Sequence, residues 1–248
     1  MTNAIQDLVL PDPSEATRGR AFPVAPAALA QDVQKPSAFI DKGSVIAFTA
    51  DVSGQNREDV LNSTLLAQLA ADKANNRESD VMGWYATYSG VLSKLGWVAQ
   101  GFNWQKYTTQ KMSFTMDEAV LEIAEAALTG QEELVVAAAI DALKKLPKSD
   151  GRLQLFNHSA SSTSEGNFQI SVCTETGGSV AMKTMAFTYD AQQQSTQVLF
   201  FAFDSNSTKL NQAVVVQDLN TAVYATVRDV VLQKLGTNAK TFVLDLDI

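Results

Sequence analysis

The 248-residue chain lacks most of the side chains that catalytic and metal sites require. It contains one cysteine, Cys173, and one histidine, His158, which we expect at a strand end in a surface or packing role. A Ser-His-Asp or Cys-His site needs a base beside its nucleophile, and a zinc site needs several cysteine or histidine ligands. Neither a P-loop nor a G-x-G-x-x-G motif occurs. We therefore predict a protein that is not an enzyme, with no catalytic residue, metal or cofactor.

Basic residues are outnumbered by acidic ones, 19 against 27, so the formal net charge is −8. Nucleic-acid binding needs clustered lysine and arginine, and no nucleic-acid partner is predicted. Long apolar stretches are also missing, so no helix is predicted to span a bilayer. The first residues have neither the basic flank nor the apolar core of a signal peptide. We expect a soluble protein that is released or secreted by a non-classical route.

Proline is scarce except at the start, where residues 1–40 contain five of the six prolines. Prolines at this density oppose both helix and sheet. We predict a proline-rich N-terminal arm over 1–40 and an α/β domain over 41–248. The arm contains Arg18 and Arg20, which would suit a trypsin-like protease if they are exposed.

Two stretches of the domain, residues 57–96 and 115–146, have the apolar spacing of helical hairpins. Two Thr-x-x-Glu capping boxes begin the helices of the second hairpin. They are Thr115 with Glu118 and Thr129 with Glu132.

Strand patterns dominate from residue 151 onward. We predict strands at 152–161, 167–176, 179–190 and 209–219, and also in the apolar run Val198–Phe203. A helix over 220–236 and a final strand over 241–248 complete the pattern.

The run Val198–Phe203 is apolar at every position, which predicts a strand covered on both faces. The short links between the strands indicate a mainly antiparallel sheet, and the two helical hairpins supply one cover for each face. The predicted fold is a single-domain three-layer α/β/α sandwich.

A helical hairpin that moved away would uncover an apolar sheet face, and a lipid bilayer is the obvious replacement for the hairpin. The predicted strands between Phe168 and Val216 run about nine to eleven residues, near the length needed to cross a membrane. Such strands also occur as ordinary core. The predicted membrane-inserting residues are Phe168, Ile170, Val172, Met185, Phe187, Val198, Leu199, Phe200, Phe201, Phe203, Val214 and Val216.

The stretch from Asn167 to Ser207 resembles the paired long strands of the Cyt cytolytic δ-endotoxin family. The matching letters are "TGG" at Thr176–Gly178, "QVLFF" at Gln197–Phe201 and the "DSNS" that follows shortly after. The order of elements over 45–248 is also similar. A fungal cardiotoxic haemolysin and bacterial virulence-associated proteins share this fold.

The resemblance implies a protoxin that is activated by trimming, possesses no enzymatic step and acts on the lipid membrane of a target cell. It also implies that copies of the chain form a homo-oligomer on the membrane and permeabilise it. On this interpretation Arg18 and Arg20 are candidate sites of proteolytic activation.

Other interpretations stay open at this point. A non-lytic virulence or accessory protein would keep the sandwich closed and hold a lipid or a protein partner. A hydrolase would use one of the carboxylate pairs Asp117/Glu118, Glu132/Glu133 or Asp245/Asp247. Cys173, if exposed, could carry a thioester-linked lipid. An aromatic group could form an interfacial belt or pack within the first hairpin: Trp84, Tyr85, Tyr88, Trp97, Trp104 and Tyr107.

Overall fold

A computed structural model describes residues 2–22, 34–161, 165–192, 195 and 197–248. The elements follow in the order α1 (Thr2–Gln6), α2 (Pro13–Ala16), β1 (Ser37–Asp41), β2 (Ser44–Phe48), α3 (Gly54–Ala74), α4 (Val81–Lys94), β3 (Trp97–Ala99), β4 (Gln105–Lys106), β5 (Ser113–Thr115), α5 (Met116–Ala127), α6 (Gly130–Lys145), α7 (Gly151–Ala160), β6 (Glu165–Thr176), β7 (Ser179–Ala191), β8 (Ala202–Asp204), β9 (Thr208–Leu219), α8 (Thr221–Ala225), α9 (Arg228–Leu235), α10 (Asn238–Phe242) and β10 (Val243–Leu246).

The central sheet has the strand order β10-β1-β2-β6-β7-β9-β3, and β4 also pairs with β9. Its pairs are antiparallel except for β2 with β6, which run parallel. The tight β6–β7 turn uses Gly177 and Gly178 at φ 60° and 82°. Glycine adopts this left-handed backbone without a steric penalty. Three long strands, β6, β7 and β9, lie side by side in the half of the sheet that ends at β3.

Helices cover the sheet on both sides. The hairpin of α3 and α4 lies on one face, and α5, α6 and α7 lie on the other. Both predicted capping boxes are present, and each glutamate accepts the backbone N–H of the threonine three residues earlier. The predicted α/β/α sandwich with a mainly antiparallel sheet and two helical hairpins is confirmed.

The strand predicted over 152–161 is wrong, because these residues form the helix α7. The Asp150 side chain accepts the backbone N–H of Arg152 and caps the helix start. The buried residues Leu153, Phe156 and Ala160 recur at helical spacing. Leu155 is also buried, and its alternation with Leu153 imitates a strand.

The apolar run Val198–Phe203 does not form a strand of the central sheet. Residues 198–201 have no regular structure, and β8 pairs with β5 in a separate two-stranded sheet. The backbone N–H of Val198 donates to the Asn157 side chain, and the carbonyl of Leu199 accepts the N–H of Asp117. These bonds to α7 and to the start of α5 take the place of a sheet ladder.

Instead, the run Val198–Phe203 packs onto the sheet as part of its cover. The ring of Phe203 lies 5.4 Å from that of Tyr189 in β7, and Val198 and Leu199 are buried. Phe200 and Phe201 are half-buried. These residues, predicted as a strand covered on both faces, therefore form a largely buried connecting segment.

The N-terminal region packs against the domain. Ile5 is fully buried, α1 contacts α9, and the Lys234 ammonium donates to the Gln6 carbonyl at 2.7 Å. The strand β1 begins at Ser37, before the predicted domain boundary at residue 41. The helix predicted over 220–236 is two helices, α8 and α9.

Candidate membrane-active sheet face

The long strands β6, β7 and β9 bring the predicted apolar residues together on one side of the sheet. Phe168 pairs with Phe187, and their rings stack with centroids 4.8 Å apart. The next rows are Ile170–Met185–Val214 and Val172–Lys183–Val216. Because directly paired residues share a face, these rows form one surface, which we call the apolar face. Its apolar members are Phe168, Ile170, Val172, Met185, Phe187, Val214 and Val216, and the polar side chains of Lys183 and Gln212 lie among them.

The other side of the same strands, which we call the polar face, is rich in amides and hydroxyls. The hydroxyls of Ser171 and Thr184 are 3.0 Å apart, and the Gln217 amide donates to Thr184 at 3.2 Å. Strands buried on both faces are usually almost continuously apolar. Alternation of apolar and polar residues is typical of strands that contact lipid on one face and water on the other. The polar residues of this face are Asn167, Gln169, Ser171, Thr184, Thr188, Asn211 and Gln217.

The cover of the apolar face is held largely by apolar packing. The helix α6 contacts β1, β2, β6 and β10, and α5 contacts β7. The ring of Phe156 in α7 meets Phe168 edge-on at 6.2 Å.

One ion pair joins this cover to the middle of the apolar face. The Lys183 ammonium donates to the Glu132 carboxylate at 2.7 Å. Burial raises the pKa of Glu132, but hydrogen bonds from Lys183 and Thr129 outweigh it and lower the pKa below its ordinary value. The carboxylate is therefore ionised at neutral pH. This ion pair, which we call the latch, joins α6 to β7.

The cover ends before β9. Val214 and Val216 are 37% and 48% exposed, and Val98 in β3 is 69% exposed. Val98 pairs with Asp218, which lies on the same side of β9 as the two valines. The apolar face thus continues past its helices and reaches solvent at this edge of the sheet.

The cover of the polar face combines buried apolar side chains of α3, such as Leu61 and Leu65, with directed hydrogen bonds. The Tyr85 hydroxyl donates to the Asn167 side chain at 2.7 Å, and the Trp97 indole donates to Ser63 at 3.0 Å. The Thr64 hydroxyl donates to the Asp41 carboxylate at 2.6 Å. Asp41 is fully buried, and burial raises the pKa of its carboxyl to about 7 despite this bond.

Other predicted residues lie away from the apolar face. Cys173 is fully buried within the sheet, and burial raises the pKa of its thiol, so the exposure that acylation would need is not met here. Arg18 and Arg20 are exposed. His158 lies in α7, not at a strand end.

The carboxylate pairs have structural partners. Asp117 pairs with Lys144, Glu118 with Lys111, and Glu132 with Lys183. Among the described residues no group of three or more histidine, cysteine, aspartate or glutamate side chains is arranged to hold a metal ion.

The aromatic residues of the first hairpin pack with one another. Trp84 and Tyr88 stack with ring centroids 5.3 Å apart, and Tyr85 contacts Phe102 and Trp104. Trp84, Tyr85 and Tyr88 are buried, so they belong to the core. Tyr107 and Trp104 are only half-buried.

None of the helices in the described ranges combines the length and the apolarity needed to cross a bilayer.

Comparison with known proteins finds no matching family model and no matching curated protein. Similar solved structures include the activated Cyt2Ba monomer from Bacillus thuringiensis subsp. israelensis, with 11% identity over 54% of this chain and 79% of that chain, at a TM-score of 0.32. A delta-endotoxin has 10% identity over 72% and 81% of the two chains, at a TM-score of 0.37. The Evf virulence factor has 10% identity over 79% and 84%, at 0.38. At TM-scores below 0.5 these likenesses carry no conclusion about this chain.

Proposed function

We propose that this protein is a membrane-active, cytolysin-like protein that forms pores in lipid bilayers or disrupts them. It acts without an enzymatic step, by moving the α5–α6 hairpin away from the apolar face and inserting β6, β7 and β9 into lipid. The observation that carries the proposal is the register of these three strands, which concentrates large apolar residues on one face and most of the amides and hydroxyls on the other, where Met182 and Val215 also lie.

For the apolar residues of this face hydrocarbon can take the place of the α5–α6 cover, while the long side chain of Lys183 has to carry its charge toward the membrane interface. Each large side chain on the apolar face is stabilised by roughly 1.5–3 kcal/mol when it leaves water, and a bilayer interior removes it from water as well. The strands contain 12 or 13 residues, enough to cross the hydrocarbon layer. Val214 and Val216, exposed already in the closed form, are the first side chains available to a membrane.

The polar face favours assembly of several copies. In hydrocarbon its amides and hydroxyls would be costly to leave without partners. Copies of the chain that turned their polar faces toward one another, with α3–α4 still in place on them, would keep these groups and the helices away from the hydrocarbon. A homo-oligomer on the membrane of a target cell follows from this requirement.

The latch between Lys183 and Glu132 allows a direct test of opening. A variant with both Glu132→Cys and Lys183→Cys is joined by a short bismaleimide linker that contains a reducible disulfide. Cys173 is buried with a raised thiol pKa, so it does not compete for the reagent. The readout is release of a trapped fluorophore from phosphatidylcholine vesicles, before and after reduction, with intact and with trypsin-trimmed protein.

The matched control joins Asp141→Cys to Lys145→Cys, an ion pair within α6 whose linker cannot tie the helix to the sheet. We expect the 132–183 linker to suppress leakage, reduction to restore it, and the control linker to have no effect. Leakage that persists with the 132–183 linker intact would contradict opening of this hairpin. Absence of leakage from every form and lipid mixture would favour a closed protein that binds a lipid or a partner.

A further inference from the structure

A cleft of about 350 Å³, which we call the edge cleft, lies at the β3 edge of the central sheet on its polar face. One wall is the C-terminal half of α4, with Ser89, Gly90 and Ser93. Residues 97–101 form the opposite wall, and Gln217 of β9 lies at the floor. Pockets that bind small molecules measure roughly 300–1,000 Å³, so the edge cleft has room for a small ligand.

The described residues that line the edge cleft are all uncharged. In residues 81–105 Lys94 is the only charged side chain, whereas 19% of the whole chain is charged. An ionised ligand would lose water in the edge cleft without gaining a counter-ion, which is costly. The edge cleft therefore favours an uncharged ligand.

The floor of the edge cleft contains a polar atom without a protein partner. Gln217 is only 2% exposed, and its Nε2 donates to the Thr184 hydroxyl at 3.2 Å. The Oε1 atom of Gln217 accepts no hydrogen bond from the described residues, yet it is not sealed off from solvent, so it faces the edge cleft. An acceptor at this depth is costly to leave without a donor. A ligand that enters the edge cleft can supply that donor.

The rim of the edge cleft adds neutral groups that both donate and accept hydrogen bonds. Ser89 is half-buried, and Ser93 and Gln100 are exposed. None of these three side chains is hydrogen-bonded within the described part of the chain. Deeper in the edge cleft, Leu92 and Trp97 are buried and supply apolar surface. The edge cleft thus combines an apolar base with neutral polar groups at its rim and one acceptor at its floor.

We propose that the edge cleft binds a neutral sugar ring. Sugar hydroxyls both donate and accept, so they match the groups of the rim, and one of them can donate to Gln217 Oε1. The C–H groups of the ring are apolar and suit Leu92 and Trp97. An acyl chain would displace water from Gln217 without supplying a donor, and a phosphate or carboxylate would meet no cation. The site is independent of pore formation.

Saturation-transfer NMR with the full-length protein identifies the sugar. The probes are the methyl glycosides of glucose, galactose, mannose and N-acetylglucosamine. Glycerol, which has hydroxyls but no ring, is the control. We expect saturable binding of at least one glycoside and no binding of glycerol. Absence of binding by every glycoside, or an equal response to glycerol, would overturn the proposal.

A variant that fills the mouth of the edge cleft tests the location. A Cβ at Gly90 would meet no atom within 4 Å, so Gly90→Leu fits the fold and replaces a poor helix former. We expect it to weaken binding of the selected glycoside about ten-fold or more in calorimetric titration. The control Ala86→Leu adds the same side chain one turn earlier, at an exposed position outside the edge cleft, and should bind as the wild type does. Equal affinities of the two variants would refute the site.

A second variant tests the acceptor at the floor. Gln217→Met keeps the length of the side chain and removes Oε1, while the Ser171 hydroxyl remains as a partner for Thr184. We expect binding of the glycoside to weaken about five-fold, the loss of one neutral hydrogen bond. Unchanged binding in a folded Gln217→Met protein would contradict the proposal. If this variant fails to fold, Gly90→Leu decides.

Flotation with phosphatidylcholine vesicles distinguishes the two sources of the sugar. The vesicles are prepared with and without a glycosylceramide that bears the sugar of the selected glycoside, and each is tested with and without the free glycoside. Flotation that rises with the glycolipid, and loses this rise with free glycoside or in Gly90→Leu, assigns the site to a glycolipid headgroup. Flotation that the glycolipid does not change, with glycoside binding intact, assigns it to a soluble saccharide. Leakage plays no part in either readout, so loss of the pore proposal would leave this one standing.

Discussion

The two helical hairpins cover opposite faces of the same sheet, yet they differ in the directed bonds that hold them in place. The α3–α4 hairpin is attached to the sheet by directed bonds such as Tyr85 to Asn167 and Thr64 to Asp41. The α5–α6 hairpin is attached mainly by apolar contact and by the latch between Lys183 and Glu132. Hydrocarbon can replace apolar contact, but it cannot replace a hydrogen bond. If the protein opens in lipid as we propose, α5–α6 is therefore the cover expected to leave.

The largest expected effect follows from truncating the apolar face. Phe187→Ala removes a fully buried ring that stacks on Phe168, and we expect the free energy of unfolding to fall by about 3–5 kcal/mol. Urea denaturation measures this change. A loss below about 1 kcal/mol would mean that the closed form does not depend on packing beneath α5–α6.

The next effect is the pH dependence of the free energy of unfolding at Asp41, the carboxyl that the α3–α4 cover contacts. Burial raises the pKa of Asp41 from 3.8 to about 7, so the folded state keeps a proton that the unfolded chain has lost. The stabilisation is complete below pH 3.8 and is lost as the pH rises toward 7, at about 1.4 kcal/mol per unit at most. His158 has the opposite sign, because its pKa is lowered in the folded state.

The contribution of Asp41 is isolated by comparing the wild type with Asp41→Asn, which retains an oxygen for Thr64 and does not ionise. The His158 term is common to both proteins and cancels. We expect the variant to gain stability relative to the wild type between pH 4 and 7 in urea denaturation at several pH values. Parallel pH profiles would show that the Asp41 carboxyl does not titrate in this window.

The local signals of the helices made much of the fold predictable. The capping boxes at Thr115 and Thr129 depend on residues three positions apart, and the turn at Gly177–Gly178 depends on the backbone freedom of glycine. Such features are complete within a few residues of chain. The sequence therefore sufficed for them.

The predictions that were wrong concern segments whose structure depends on contacts with residues distant in the chain. Six apolar residues at Val198–Phe203 indicate burial, but they do not indicate whether the run lies within a sheet or upon it. The alternation of Leu153 and Leu155 imitates a strand until the Asp150 cap is seen.

The candidate site was predictable only in part. The period of two placed Phe168, Ile170 and Val172 on one face from sequence alone. The polar face is present in the same alternation, but its extent depends on the register of β9 against β7, which the sequence does not show.

A smaller effect is expected from a single bond of the α3–α4 cover. Thr64→Val keeps the shape of the side chain but leaves Asp41 without the hydroxyl that donates to it at 2.6 Å. We expect the free energy of unfolding to fall by about 1–3 kcal/mol at neutral pH. Vesicle leakage by the folded protein should be unchanged, since this hairpin stays on the sheet. A large gain in leakage would mean that α3–α4, and not α5–α6, moves away from the sheet.

The smallest effect on stability should accompany a large effect on activity. Val216 is 48% exposed on the apolar face, so Val216→Lys should change the free energy of unfolding by no more than about 0.5 kcal/mol. In the membrane the same lysine would meet hydrocarbon, at a cost that falls from about 2–4 kcal/mol at the midplane to about 0–1 kcal/mol at the interface, and vesicle leakage should fall. The control is Leu134→Lys, since Leu134 is 69% exposed on the hairpin that leaves, and its leakage should match the wild type. Because both changes place a lysine on an exposed apolar site, equal leakage by the two variants would mean that β9 does not enter the lipid.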